Sequence, residues 1–274
     1  MTATPIKTIG VAGCGAMGLP MARALLASGF KVSGFDVRPL DEFGDFAPHM
    51  QADAQRFANE CDTLICVVRD EQQVLDLCFD DQALFHTVRS PETFVLSSTT
   101  SPRFVHKLRE KLAQDIVLID APMSGAPLAA IAATLTFMVG GPPQAVTALQ
   151  PAFAAMGSKI HHLGELGAGM ATKVLNNFVA ASTVVAVRNV LKHAESSGID
   201  PQTLLGVMAQ SSGQTWFGSN FNQINWAGEG YDAGNTIGIL EKDVGAFIDG
   251  LPDGPEPLHK AIIAALQTLP PSDS

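Results

Sequence analysis

The chain has 274 residues, 46% of them hydrophobic and only 16% charged, with 17 lysines and arginines against 27 aspartates and glutamates. An average soluble chain carries roughly 25% charge, so this composition excludes a disordered polypeptide, and a formal charge of −10 gives neither nucleic acid nor an anionic membrane an electrostatic hold. The length admits one large domain or two ordinary ones, and a charge-poor chain that stays in solution must hide apolar surface, which points to a homo-oligomer.

In chain order, Met1–Thr8 shows no charged-then-apolar leader, and the first apolar run, Ile9–Ala12, is strand-length. The expected strands are Lys7–Ala12, Lys31–Asp36, Thr63–Val68, Thr93–Ser97, Val117–Asp120, Leu135–Val139 and one over Lys159–Leu163. Helical spacing or a proline near a helix start marks Met17–Ala27, Ala52–Glu60, Pro102–Gln114 and Pro142–Ala155. Strand and helix alternating in this way predict an α/β, Rossmann-type doubly wound sheet over residues 1–164. From Gly167 to Val190 the only charged residues are Lys173 and Arg188 and no proline intervenes, so one long interdomain helix is expected over about 168–196, buried on nearly all sides by both domains and a second subunit. Pro201–Ala209, Thr236–Asp249 and Pro257–Leu269 follow without a strand, making 165–274 an all-α domain with a fraying PPSDS tail.

No run approaches the roughly 20 apolar residues of a membrane span. Cys61 and Cys66 sit five apart and Cys14 and Cys78 are isolated, so neither a disulfide framework nor paired zinc ligands emerge, and His161-His162 lack spaced partners. The expectation is a cytoplasmic, reduced, metal-free protein.

Gly13-Cys14-Gly15-Ala16-Met17-Gly18 has the form GxGxxG. It follows an apolar strand and opens a helix, the context of a dinucleotide site: Gly13 makes the tight turn, Gly15 lets pyrophosphate approach the backbone, and Gly18 lets helix and strand pack. Phosphate then meets the free N–H groups of a helix start. Asp36, at the end of the second strand, can bind ribose hydroxyls and repel a 2′-phosphate, favouring NAD; Arg38 pulls toward NADP.

Asp120-Ala121-Pro122-Met123-Ser124-Gly125-Ala126 ends a strand with a hydroxyl and free backbone N–H groups able to bind a carboxylate. On the long helix, Lys173 and Asn177 are one turn apart and share a face. Burial would lower the lysine pKa and make it a general base near neutral pH. Trp216 and Phe217 can line a substrate pocket or pack as core.

Together, GCGAMGLPMARALLASGF, STTSP at Ser98–Pro102, DAPMSGAPLAA, GAGMATKVLNN and Lys242-Asp243 resemble the β-hydroxyacid dehydrogenase family in order and spacing, from about Ile9 to Asp243. The resemblance implies NAD(P)-dependent oxidation of a small 3-hydroxy acid or reduction of its semialdehyde, in a dimer or tetramer. It makes Lys173 the proton carrier and Asn177 the group that orients the hydroxyl. Ser124, Gly125 and Ala126, with Trp216, would hold a small carboxylate substrate. Gly13, Gly15, Ala16, Met17, Gly18, Asp36, Val67, Val68, Thr99 and Lys242 would hold the cofactor. Departures from the family pattern are Leu96, the short carboxy terminus, and Ala126 and Ala133 in place of glycines. The methyl of Ala126 is expected to narrow the pocket or tilt the loop, because alanine avoids positive φ. Rival readings are a catalytically impaired nucleotide-binding homologue and an imine reductase, whose relatives usually lack a lysine matching Lys173.

Overall fold

The computed structural model describes residues 8–272, the side chain of Glu195 excepted. The leader reading over Met1–Lys7 and the last two residues of the tail lie outside them.

The elements run β1 (Thr8–Ala12), α1 (Gly18–Ala27), β2 (Lys31–Phe35), β3 (Met50–Gln51), α2 (Ala54–Glu60), β4 (Thr63–Cys66), α3 (Glu71–Cys78), β5 (Thr93–Leu96), α4 (Pro102–Lys111), β6 (Val117–Asp120), β7 (Met123–Ser124), α5 (Ala126–Ile131), β8 (Leu135–Gly140), α6 (Pro143–Met156) and β9 (Gly157–Gly164). Then come α7 (Ala168–Ser196), α8 (Pro201–Met208), α9 (Trp216–Ser219), α10 (Thr236–Asp249) and α11 (Pro257–Gln267), with no strand among the described residues.

One sheet orders the strands β3-β2-β1-β4-β5-β6-β8-β7, with β9 on β8. The six from β3 to β6 are parallel; β8 runs against β6 and β7. The chain leaves β1 for β2 on one side and reaches β4 on the other, which puts the switch of a doubly wound sheet beside β1. The central strands are apolar and buried on both faces, as βαβ crossovers require. Two apolar layers flank the sheet, one around Met21, Leu25, Phe137 and Phe153 and one around Phe57, Phe94, Val105 and Leu118.

The compact units are Met1–Lys173 and Val174–Ser274. Their boundary falls inside α7 rather than at the expected 164, because the first turns of that helix are bonded to the sheet. The second unit has its own core, in which Val184, Val187 and Leu191 of α7 pack with Leu205, Phe217, Phe221, Ile237, Val244 and Leu266.

One expectation about this unit is corrected. The tail does not fray as far as it is described: the Ser272 N–H donates to the Gly228 carbonyl at 2.9 Å, and the Arg188 guanidinium donates to the carbonyl oxygens of Pro270, Ala227 and Glu229. Within this single chain Leu175, Val179 and Val190 of α7 are 56, 60 and 40% exposed, a face left for the second subunit that the sequence reading expects there. By length and composition α7 could cross a membrane, with mean hydropathy 1.4 over its most apolar stretch. A buried arginine bonded to three carbonyls of the same unit marks it instead as a core helix of a folded unit.

Candidate active site

Parallel register places the carboxyl ends of the strands in a row. Phe35 is level with Ala12, Ala12 with Cys66, Cys66 with Leu96, and Leu96 with Asp120. The loops that follow carry Asp36, the Gly13–Gly18 turn, Val67-Val68, Thr99 and Ser124-Gly125, so residues far apart in sequence gather at one sheet edge. Ligands of open α/β sheets bind at this edge.

The glycine turn fits a dinucleotide pyrophosphate on its own geometry. Gly13 has φ +88°, donates its N–H to the Phe35 carbonyl at 2.9 Å, and a Cβ there would lie 2.7 Å from the Val67 carbonyl oxygen. At Gly18 a Cβ would sit 2.0 Å from the Gly13 carbonyl oxygen, so only glycine lets α1 start this close to β1. Gly15 faces open space, Ala16 is exposed and Met17 half-buried. No side chain caps α1 and no acid lies in its first turn, which leaves its N–H groups to an anion.

Asp36 does not stand alone. Its carboxylate accepts from Arg38 Nε at 3.0 Å and from a terminal guanidinium nitrogen at 3.2 Å, while that nitrogen also reaches the Cys14 carbonyl at 2.9 Å. Glu42 lies 3.4 Å from the other guanidinium nitrogen and the Phe43 ring lies beneath. The arginine is thus charge-compensated and fixed on the back of the glycine turn.

Ser124 pairs with Thr136 across β7 and β8. Gly125 follows at φ +136°, and then Ala126 at +56°; Ala133, which closes α5, is at +52°. This corrects the expected effect of the alanine: the loop keeps its left-handed turn and carries the methyl under strain, about 1–2 kcal/mol per residue. Thr99 is half-buried between β5 and α4, a helix capped by Ser101.

Lys173 and Asn177 are 7% and 8% exposed on α7. In the second unit Asn177 Nδ2 donates to Asp243 Oδ2 at 2.6 Å, and Lys242 Nζ lies 2.8 Å from Asp243 Oδ1. Trp216 is 58% exposed in this chain, whereas its neighbour Phe217 is core, stacked on Trp226. His162 Nε2 lies between the Gly141 and Gly164 carbonyls.

Sequence reasoning gave no role to Asp120 and placed Asp243 only as the partner of Lys242 near the cofactor, although both stand within the motifs that carry the family resemblance. Asp120 is fully buried and its carboxylate accepts the N–H groups of Gly167 and Met170 at 2.7 and 2.6 Å. An acid at a strand end looks the same in sequence whether water or a helix start faces it.

A glycine-turn anion cradle at a sheet switch point, joined in sequence to a helix carrying a buried lysine, defines a nicotinamide-dependent oxidoreductase. Residues 8–164 match the NAD-binding domain of 6-phosphogluconate dehydrogenase, and residues 167–258 match the NAD-binding domain of NADP-dependent 3-hydroxyisobutyrate dehydrogenase. The chain is 30% identical to L-threonate dehydrogenase of Cupriavidus necator over 89% of its length and 83% of the relative's. It is 32% identical to 3-hydroxyisobutyrate dehydrogenase of Pseudomonas aeruginosa over 85% and 81%. The solved structure of the Mycobacterium tuberculosis 3-hydroxyisobutyrate dehydrogenase with L-serine matches at TM-score 0.76 and 27% identity, covering 97% of this chain and 96% of that one. The chain belongs to the β-hydroxyacid dehydrogenase family and is an NAD(P)-dependent dehydrogenase acting on the CH–OH group of hydroxy acids.

Proposed function

We propose that the enzyme oxidises a small 3-hydroxy acid, of the size of 3-hydroxyisobutyrate or serine, with NAD as the preferred cofactor. The observation that carries the reading is the pair Lys173 and Asn177, buried one turn apart on a helix whose start is bonded to the strand that leads into Ser124. With the dinucleotide held through its pyrophosphate at the glycine turn, its nicotinamide would supply the acceptor for the hydride, that is, the carbinol hydrogen with its electron pair. Lys173 accepts the hydroxyl proton at Nζ as the carbonyl forms, and Asn177 orients that hydroxyl. The Ser124 hydroxyl and the Gly125 N–H hold the substrate carboxylate without a full positive charge. By the family pattern Trp216 would serve the substrate, and Thr99 and Lys242 the cofactor.

NAD is favoured because Asp36, at the end of the second strand, would repel a 2′-phosphate, and Arg38 is already paired with Asp36 and Glu42. A second copy of this chain covers the exposed α7 stripe, and a cytoplasmic setting agrees with four free, buried thiols.

The test is a panel of 3-hydroxyisobutyrate, serine, glycerate, threonate and 4-hydroxybutyrate, each with NAD and NADP, run on wild type and Lys173→Ala. Turnover on at least one 3-hydroxy acid with NAD, lost by about 100-fold or more in the variant while NAD affinity holds, is expected. Strict NADP use would overturn the cofactor preference, and wild-type turnover in Lys173→Ala would overturn the proton carrier.

A further inference from the structure

We propose that Asp120 is a positioning residue for catalysis, one carboxylate that locks the start of the lysine-bearing helix to the strand running into the substrate loop. This rests on the proposed roles of Lys173 and Ser124.

Asp120 is the last residue of β6, and the chain runs from it through Ala121-Pro122-Met123 to Ser124 and Gly125. Its two carboxylate oxygens divide their work: Oδ1 accepts the Gly167 N–H at 2.7 Å and Oδ2 the Met170 N–H at 2.6 Å. Gly167 immediately precedes α7, and Met170 is one turn before Lys173 on it. A helix start leaves its first N–H groups without intrahelical partners and carries partial positive charge, so a buried carboxylate there makes short, charge-assisted bonds. Covalent connection on one side and two hydrogen bonds on the other make Asp120 a direct link between the substrate loop and the start of the lysine-bearing helix.

The packing around this link allows little play. A Cβ at Gly140 of β8 would lie 2.4 Å from Asp120 Oδ1 and 2.9 Å from the Gly169 nitrogen; a Cβ at Gly169 would lie 2.3 Å from the Met138 carbonyl oxygen. Helix backbone therefore rests directly on strand backbone, with Asp120 filling the join. Thr100 adds a third tie, its N–H directed at the Met170 sulfur at 3.4 Å. Burial holds the Asp120 carboxyl above its ordinary value, with the Gly167 and Met170 N–H groups pulling the other way.

Asp120→Ala and Asp120→Asn in the full chain, beside wild type, decide the matter by three readouts. For Asp120→Ala we expect faster hydrogen exchange at the Gly167 and Met170 amides, NAD affinity within about twofold of wild type, and kcat on the best panel substrate reduced by about 10- to 100-fold, the cost of sub-ångström to ångström misplacement. Asp120→Asn keeps the volume and one carbonyl acceptor, so it should recover part of kcat; if the alanine variant does not fold, this one carries the test. Unchanged exchange at those amides, kcat within twofold of wild type, or a kcat loss matched by an equal loss of NAD binding would each overturn the proposal. Wild-type inactivity on the whole panel would sink the proposed reaction instead, and the exchange result would still decide whether Asp120 anchors the helix.

Discussion

Asn177 donates its carboxamide N–H to Asp243 Oδ2 at 2.6 Å, and its own Oδ1 accepts from Asn176 Nδ2 at 3.1 Å. These two bonds fix which end of the amide faces which way, and the same aspartate holds Lys242. Asp243 is 3% exposed, so its bond to Asn177 is shielded from bulk water. If Asp243 works through Asn177, the two changes are not independent. Asp243→Ala should lower kcat about tenfold in wild type and by much less in Asn177→Ala, a coupling of roughly 0.5–3 kcal/mol in a double-mutant cycle. Additive losses would show that Asp243 acts through Lys242 or through stability alone.

Ala126 and Ala133 hold φ values of +56° and +52°, where a methyl is strained and glycine is not. Glycine also frees the unfolded chain, which costs about 0.4–1 kcal/mol. Relief of the strain outweighs that cost, so Ala126→Gly and Ala133→Gly should each raise stability by about 0.5–1 kcal/mol, read as a higher urea midpoint with unchanged slope. Ala133 lies at the far end of α5 from Ser124 and should leave KM alone. A lowered midpoint in both variants would mean that the methyls pack well enough to outweigh the strain.

The four cysteines are all free and buried, and burial is the leading cause that pushes the thiols of Cys14 and Cys61 up to about 12 and that of Cys66 to about 11. Cys78 is raised as well, again by burial first. A thiol reacts as its thiolate, so raising the pKa removes the reactive form at every pH below those values. Native protein at pH 8 should therefore resist an aromatic disulfide reagent, and all four thiols should react at once when guanidinium unfolds it. Fast titration of even one thiol in the native state would contradict the buried placement of these side chains.

Much of the fold is legible because strong local signals agree with tertiary structure. The apolar runs of β1, β4 and β5 and the caps and prolines of α4, α10 and α11 fall within a few residues of where pattern reading puts them. What escaped lacks such a signal. Helix α3, EQQVLDLC, buries only Val74, Leu77 and Cys78, and β3 and β7 are two residues long. At the site, the glycine turn and the lysine helix announce themselves through spacing. Asp120 and Asp243 do not, since their partners lie 47 and 66 residues away in sequence, and only the folded chain shows that these two acids, one at a strand end and one inside a helix, are buried and bonded.

The stripe along α7 tests the subunit proposal. Leu175, Val179 and Val190 are exposed at spacings of four and eleven residues, which places them on one helix face, and Arg188 is turned inward onto three carbonyls. An apolar helix face of this kind, free of charge along the stripe, can meet its own copy across a twofold axis, where each residue is buried by its counterpart or near neighbour. A charge at the centre is then buried in both copies, unpaired against its like. Val179→Glu should shift the protein from dimer or larger to monomer in light scattering at micromolar concentration, with far-UV circular dichroism unchanged because the second unit's core does not use Val179. A wild type that is monomeric at tens of micromolar, or a variant whose mass does not change, would sink the proposal that a second copy covers this face.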